Sequence, residues 1–277
     1  MSGFSPEWLA LREPVDHRSR AADVARQLQQ HFSGRKSVRV VDLGCGTGSN
    51  IRGTFHLLPD RQEWTLVDYD PRLLSAAREA LAAWSDRNES ADDGLIVHKD
   101  GKTLRVSLRQ SDLNVALDDA LGQDADLVTA SAFFDLCSAD FIERFAAAVA
   151  RRRAVFFTVL TYNGQQTWTP AHPADRELRD AFCAHQRGDK GFGPSAGPEA
   201  AASLRAAFAG AGYDVREGDS PWVMDMADGS LIADLARGFA GAVAETGVVA
   251  PATVAAWQAV TRSGAVVGHT DTLAIPR

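Results

Sequence analysis

Residues 38–50 read VRVVDLGCGTGSN, a short β-branched run that passes directly into glycines at every second position. No other segment restricts the fold as tightly. Val38, Val40, Val41 and Leu43 predict a strand buried on both faces of a parallel sheet. Gly44, Gly46 and Gly48 predict a turn tight enough to bring backbone N–H groups against a ligand, because glycine has no Cβ to hold the ligand off. Ser49 or Asn50 is then placed to cap a helix over residues 51–58. A strand, a glycine turn and a helix N-terminus together favour a nucleotide-like ligand, since the first helical N–H groups and the helix dipole attract electron-rich groups.

Spacing discriminates among nucleotides. A dinucleotide fingerprint, G-x-G-x-x-G, needs its third glycine where Ser49 stands, and a phosphate-binding P-loop needs a lysine that this loop lacks. The pattern actually present, Asp42, Gly44, Gly46 and Gly48 as D-x-G-x-G-x-G, resembles motif I of the class I S-adenosylmethionine (SAM) dependent methyltransferases. The resemblance implies an α/β fold, doubly wound, with a seven-stranded mostly parallel sheet closed by a C-terminal antiparallel hairpin. It implies SAM as cofactor, S-adenosylhomocysteine as product and no metal. Asp42, Gly44, Cys45, Gly46 and Gly48 then lie at the cofactor, with Cys45 a small filler in the loop. The absence of basic residues there fits a ligand without phosphate.

Residues 63–68, EWTLVD, predict a second strand ending in an acid 20 positions after Gly48. At the carboxyl end of that strand Asp68 can accept both ribose hydroxyl hydrogens, a role shared with nicotinamide enzymes. Tyr69-Asp70-Pro71 resembles the family's next segment, which puts Tyr69 at the cofactor; Asp70 caps a helix over residues 72–84. Runs at 95–98 and 103–109 flank Asp100-Gly101, a hairpin signal. By resemblance, Asp112 meets the adenine amino group and Leu113 the ring; the alternative is that Asp112 merely ends a strand. Residues 126–131 form a fourth strand whose small end, Ala130 and Ser131, adjoins the crevice at the topological switch point.

Asp135 is either an acid at the start of the helix over residues 139–150 or a substrate contact. The sequence SAFFDL stands where base-modifying members carry Asn/Asp-Pro-Pro-Tyr/Phe, which argues against nucleic-acid base methylation. A fifth strand over 154–160 ends in Thr161-Tyr162-Asn163-Gly164, placing a phenol and an amide near the site. Residues 165–198 read as a lid carrying Trp168, His172, Phe182, His185 and Phe192. His185 is a candidate general base or a structural side chain, so the catalytic candidates are His185, Asp135 and Tyr162. Alignment of nucleophile, methyl and sulfur can itself supply most of the acceleration.

A helix over 197–212 and strands at 213–217 and 265–275 complete the order, separated by an insert at 218–264 with helices at 230–245 and 251–262. Trp222, Met224, Met226 and Trp257 pack that insert over the sheet or against a second subunit. Residues 1–37 form an N-terminal helical cap, helical over 6–32, with Arg12, His17, Arg18 and Arg20 on it. Arg18 is taken as the candidate for the cofactor's carboxylate; a solvated charged helix is the alternative. The rest, 38–277, is expected to be one SAM-binding domain.

Net charge is 29 − 36 = −7 with no basic run, which excludes a nucleic-acid backbone as partner. Cys45, Cys137 and Cys183 show neither pairing nor metal spacing and suit a reducing cytoplasm. No apolar run of about 18 residues suggests a membrane span. The expectation is a cytoplasmic methyltransferase, monomer or homodimer, acting on a small molecule at oxygen, nitrogen or carbon. One alternative is an NAD(P)-dependent oxidoreductase, disfavoured by glycine spacing and by Gln166 four residues after Tyr162, where a lysine would be needed. The other is a non-catalytic SAM-binding protein.

Overall fold

The computed structural model describes residues 4–277. Two helices, α1 (Pro6–Arg18) and α2 (Ala22–Phe32), precede β1 (Ser37–Leu43) and α3 (Ser49–Thr54). There follow β2 (Arg61–Asp68), α4 (Pro71–Trp84), β3 (Arg87–Ala91), β4 (Gly94–Lys99), β5 (Lys102–Gln110) and α5 (Leu113–Leu121). Next come β6 (Leu127–Ser131), α6 (Ala139–Arg152), β7 (Val155–Thr169), α7 (Asp175–Gln186) and α8 (Ala200–Gly210). The chain ends with β8 (Tyr213–Asp219), β9 (Trp222–Met224), α9 (Gly229–Thr246), α10 (Pro251–Gln258) and β10 (Gly264–Pro276).

The strands form one sheet in the order β3-β4-β5-β2-β1-β6-β7-β10-β8, with β9 paired to β10. From β5 to β7 every neighbour is parallel, whereas β10 runs antiparallel to both β7 and β8. The chain leaves β1 toward β2 and later returns on its other side at β6. A crevice therefore opens beyond the carboxyl ends of β1 and β6, the place where open α/β sheets bind ligands. β1 is buried along most of its length because helices cover both faces. One face packs Leu28 and Phe32 of α2, Leu74 and Leu81 of α4, and the aromatic group Trp168, Phe239 and Trp257. The other packs Phe141 and Phe145 of α6 and Phe208 of α8 against Phe156.

The expected doubly wound architecture is present, and the sheet is wider than seven strands. β3 and β4 add an antiparallel edge beyond β5, and β9 adds a short strand outside β10. Gly48 is the N-cap of α3 in the left-handed conformation and no side chain caps this helix, so neither Ser49 nor Asn50 does so. Asp70 caps α4 as expected, accepting from Arg72 N–H. The fifth strand does not stop at residue 160. β7 continues to Thr169 because β10 stays paired with it through Trp168 and Thr169, which turns the first part of the expected lid into sheet. The insert helices fall at 229–246 and 251–258, close to the expected bounds. Trp222, Met224 and Trp257 are buried within the chain, but Met226 is 80% exposed. No helix among the described residues is long and apolar enough to cross a membrane.

Candidate active site

A cavity of about 840 Å³ occupies the crevice beyond β1 and β6. Its floor is the glycine loop. Gly44 and Gly46 hold φ of +60° and +53°, and a Cβ on Gly44 would sit 2.7 Å from Phe133 Cδ2. Only glycine meets both demands, the left-handed backbone and the close approach of the β6 turn. Cys45 N–H is anchored to Val67 O at 3.0 Å, tying the loop to the end of β2.

Asp68 closes that arrangement. Its Oδ2 accepts from Gly46 N–H and its Oδ1 from Asp70 N–H, each at 2.9 Å. Burial raises its pKa, opposed by those backbone donors. A carboxylate offers about four lone-pair sites, so Asp68, which lines the cavity, keeps acceptor capacity beyond these two bonds. Tyr69, Asp70, Gln110, Ser111, Asp112 and Leu113 continue the wall. Asp112 does not end a strand, since β5 stops at Gln110; it is the N-cap of α5, accepting from Asn114 N–H at 2.9 Å.

The roof comes from α1 and from the segment after α7. Leu9 lies over the loop, 3.1 Å from where a Gly46 Cβ would be. Glu13 holds α1 down by a two-pronged pair with Arg52, at 2.7 and 2.5 Å, and Arg52 in turn donates to Thr47 O at 2.9 Å. Arg12 and Asp16 line the cavity and form a pair of their own, 2.9 and 3.2 Å. At the opposite wall Asn114 donates to Gly191 O at 2.8 Å, fixing the turn that carries Lys190 and Phe192.

Of the proposed cofactor residues, the structure brings Gly44, Cys45, Gly46, Asp68, Tyr69, Asp112 and Leu113 to one cavity. Asp42, Gly48, Ala130 and Arg18 are not among its walls. Asp42 is buried beneath the loop, where it accepts from Asn50 Nδ2 at 2.8 Å; desolvation pushes its pKa up to about 7. Ala130 is buried in β6, and its successors Ser131 and Ala132 reach the cavity instead. Arg18 points away to Asp228, at 2.5 Å, and Arg12 is the α1 arginine that lines the cavity.

None of the three catalytic candidates faces the cavity. His185 pairs with Glu245 of α9 at 2.9 Å and lies 3.3 Å from Lys190 Nζ. Tyr162 packs its hydroxyl on Cys183. Asp135 sits in the single turn after β6 with Oδ1 buried, and desolvation raises its pKa to about 6. Of the aromatic residues expected to line a pocket from 165–198, Phe192 does so; Trp168 packs on Trp257 and Phe182 on Phe239.

No protein-family model and no curated protein matches the chain. Among solved structures it is similar to a protein from Bacillus halodurans described as a candidate methyltransferase. That likeness has 10% identity and a TM-score of 0.52, covering 92% of this chain and 100% of the other. It is similar also to the YcgJ protein of Bacillus subtilis, at 14% identity and a TM-score of 0.51, covering 92% and 98% of the two chains. The chain thus has the Rossmann-like fold of the class I methyltransferases.

Proposed function

We propose that this protein is a SAM-dependent methyltransferase acting on a small molecule. The observation that carries the reading is Asp68, held under a glycine loop devoid of basic side chains, with spare acceptor capacity toward a cavity large enough for cofactor and acceptor. SAM, when bound, supplies a methyl group already activated by the positive sulfur. Asp68 would hold the ribose hydroxyls, Asp112 and Leu113 the adenine, and Gly44 to Gly46 the chain toward the methionine end. Arg12, at the α1 side of the same cavity, is placed to take the carboxylate in exchange for part of its pairing with Asp16. Leu9, Phe133 and Phe192 line the same cavity and would exclude water from a bound cofactor, giving it a low-dielectric surrounding.

Incubating the purified protein with methyl-tritiated SAM and a metabolite extract tests this reading. A labelled small product, dependent on Asp68, is expected. Retention of all label in SAM across extracts while the cofactor binds tightly would favour a non-catalytic binding protein.

A further inference from the structure

Among the described residues the cavity is lined by three cations, Arg12, Arg72 and Lys190. Arg12 is paired with Asp16 at 2.9 Å and Arg72 with Asp70 at 2.6 Å. Lys190 has no carboxylate partner among the described residues, whereas Lys99 and Lys102 are paired with Asp86 and Asp60. The Lys190 ammonium meets His185 Nδ1 instead, at 3.3 Å. An ammonium can only donate, so Nδ1 is the acceptor and the neutral imidazole carries its proton on Nε2, where Glu245 Oε2 accepts it at 2.9 Å. Glu245 of α9 thus orients His185 of α7, which holds the ammonium by one of its three protons. Two remain for a ligand.

The backbone that carries Lys190 is fixed as well. Asp189 is bridged to Pro194, and Ser195 to Ser138, the N-cap of α6. Asp189 Oδ1 accepts Gly191 N–H at 2.7 Å and Gly193 N–H at 3.1 Å, so this adjacent acid is turned onto the backbone rather than onto Lys190. Together with the Asn114 bond to Gly191 O, these contacts tie the tip of the turn to α5 and to the start of α6. Phe192, two residues after Lys190, meets Phe133 and Phe141 edge-on with ring centroids 5.5 and 4.7 Å away. A wall held this closely is ready for a ligand without first having to be ordered by it.

We propose that Lys190 is the specificity-determining residue of the acceptor site, and that the acceptor is a small molecule with a flat apolar body and an anionic oxygen group, a carboxylate or a phosphate. This inference rests on the methyltransferase reading above. The residues proposed there for ribose, adenine and the methionine chain stand at the ends of β1, β2 and β5. The remaining wall comes from the turn after β6 and the turn after α7, and carries Phe133, Leu136, Lys190 and Phe192.

The charges of the cavity dictate the chemistry. Asp16 and Asp70 are spent on arginines, and Asp68 and Asp112 are assigned to the cofactor, so no acid of the protein is left for Lys190. An incoming oxyanion supplies the missing charge and accepts the two remaining ammonium protons. A cationic acceptor would be repelled, and an uncharged one would leave the half-buried ammonium without a counter-ion beside apolar rings. Lysine is a point charge rather than a planar fork, so it serves a carboxylate and a phosphate alike. Phe133, Leu136 and Phe192 offer the apolar surface that a ring system would cover.

Ligand-observed NMR titrations on the protein saturated with S-adenosylhomocysteine test the assignment, with 2-naphthoate, 2-naphthyl phosphate, 2-naphthamide and 2-naphthylmethylamine as probes. At least one of the two anions is expected to bind about tenfold more tightly than the uncharged amide, with the amine weakest. The tighter anion identifies the oxygen group. Lys190→Met should cost that anion about tenfold in affinity, while Lys190→Arg, which keeps the charge, should stay within about threefold of wild type. Calorimetric S-adenosylhomocysteine affinity should stay within about twofold in Lys190→Met, which shows that the variant is folded and that Lys190 does not serve the cofactor. Anions that bind no better than the amide, or anion affinity unchanged in Lys190→Met, would overturn the assignment while leaving the cofactor reading standing. A loss of S-adenosylhomocysteine affinity in Lys190→Met as large as that of the anion would give Lys190 to the cofactor and overturn it too. No binding of S-adenosylhomocysteine by the wild-type protein would overturn the methyltransferase reading and the acceptor site with it.

Discussion

The carboxylate of Asp68 accepts the backbone N–H of Gly46 at 2.9 Å, so the acid at the end of the second strand fixes the loop on which the site is built. Its second oxygen holds Asp70 N–H, the first residue of the following helix cap. Asp68→Ala removes both anchors together with the ribose acceptor. S-adenosylhomocysteine affinity should fall by about 1.5–3 kcal/mol in calorimetry, the scale of hydrogen bonds to a charged group. Unchanged affinity would refute the ribose role.

Gly44→Ala asks whether the loop tolerates a single methyl group. The new Cβ would lie 2.7 Å from the Phe133 ring at a φ of +60°. Stability should drop by about 1–3 kcal/mol in urea unfolding, with ligand affinity falling too, because loop and ring cannot both keep their places. Gly101→Ala also has positive φ but meets nothing within 4 Å, so it should spare ligand binding.

The roof is held by few contacts. Glu13→Ala leaves Arg52, whose side chain is 8% exposed, without its carboxylate partner, and α1 should loosen by about 2–4 kcal/mol. Hydrogen exchange followed by mass spectrometry should show faster exchange across Pro6–Arg18 while β6 stays protected. Equal protection of α1 in variant and wild type would mean that Leu9, rather than the ion pair, seats the helix.

Asp42 makes stability depend on pH. Its pKa is about 7 in the folded protein, against an ordinary value near 3.8, so the folded state binds the extra proton between those limits. Stability attributable to this group is complete below about pH 4 and is lost as pH rises to about 7, on the order of 4 kcal/mol. Asp42→Asn should flatten that part of the profile measured by denaturant unfolding. A variant profile parallel to wild type would show that the Asn50 hydrogen bond compensates the burial fully.

What was legible in the sequence was what local chemistry decides. The glycine loop, the Asp68 strand end and the Asp70 cap each need particular residues at fixed spacing, and the structure places them together. The β7 extension was hidden because Asn163-Gly164 reads as a turn; in the fold Gly164, with φ +84°, lies in a strand held by β10 from more than 90 residues away. Arg12 and Arg18 were indistinguishable because the apolar residues of α1 do not segregate to one face, leaving its buried side unmarked. His185 resembled a base in isolation, but Glu245, 60 residues later, holds it at a helix packing surface.

The central claim is that the crevice is built for SAM rather than a dinucleotide. Isothermal titration of the purified protein with S-adenosylhomocysteine and, separately, with NAD decides it. The account predicts saturable 1:1 heat with S-adenosylhomocysteine and none with NAD. Tight NAD binding with no response to S-adenosylhomocysteine would contradict it.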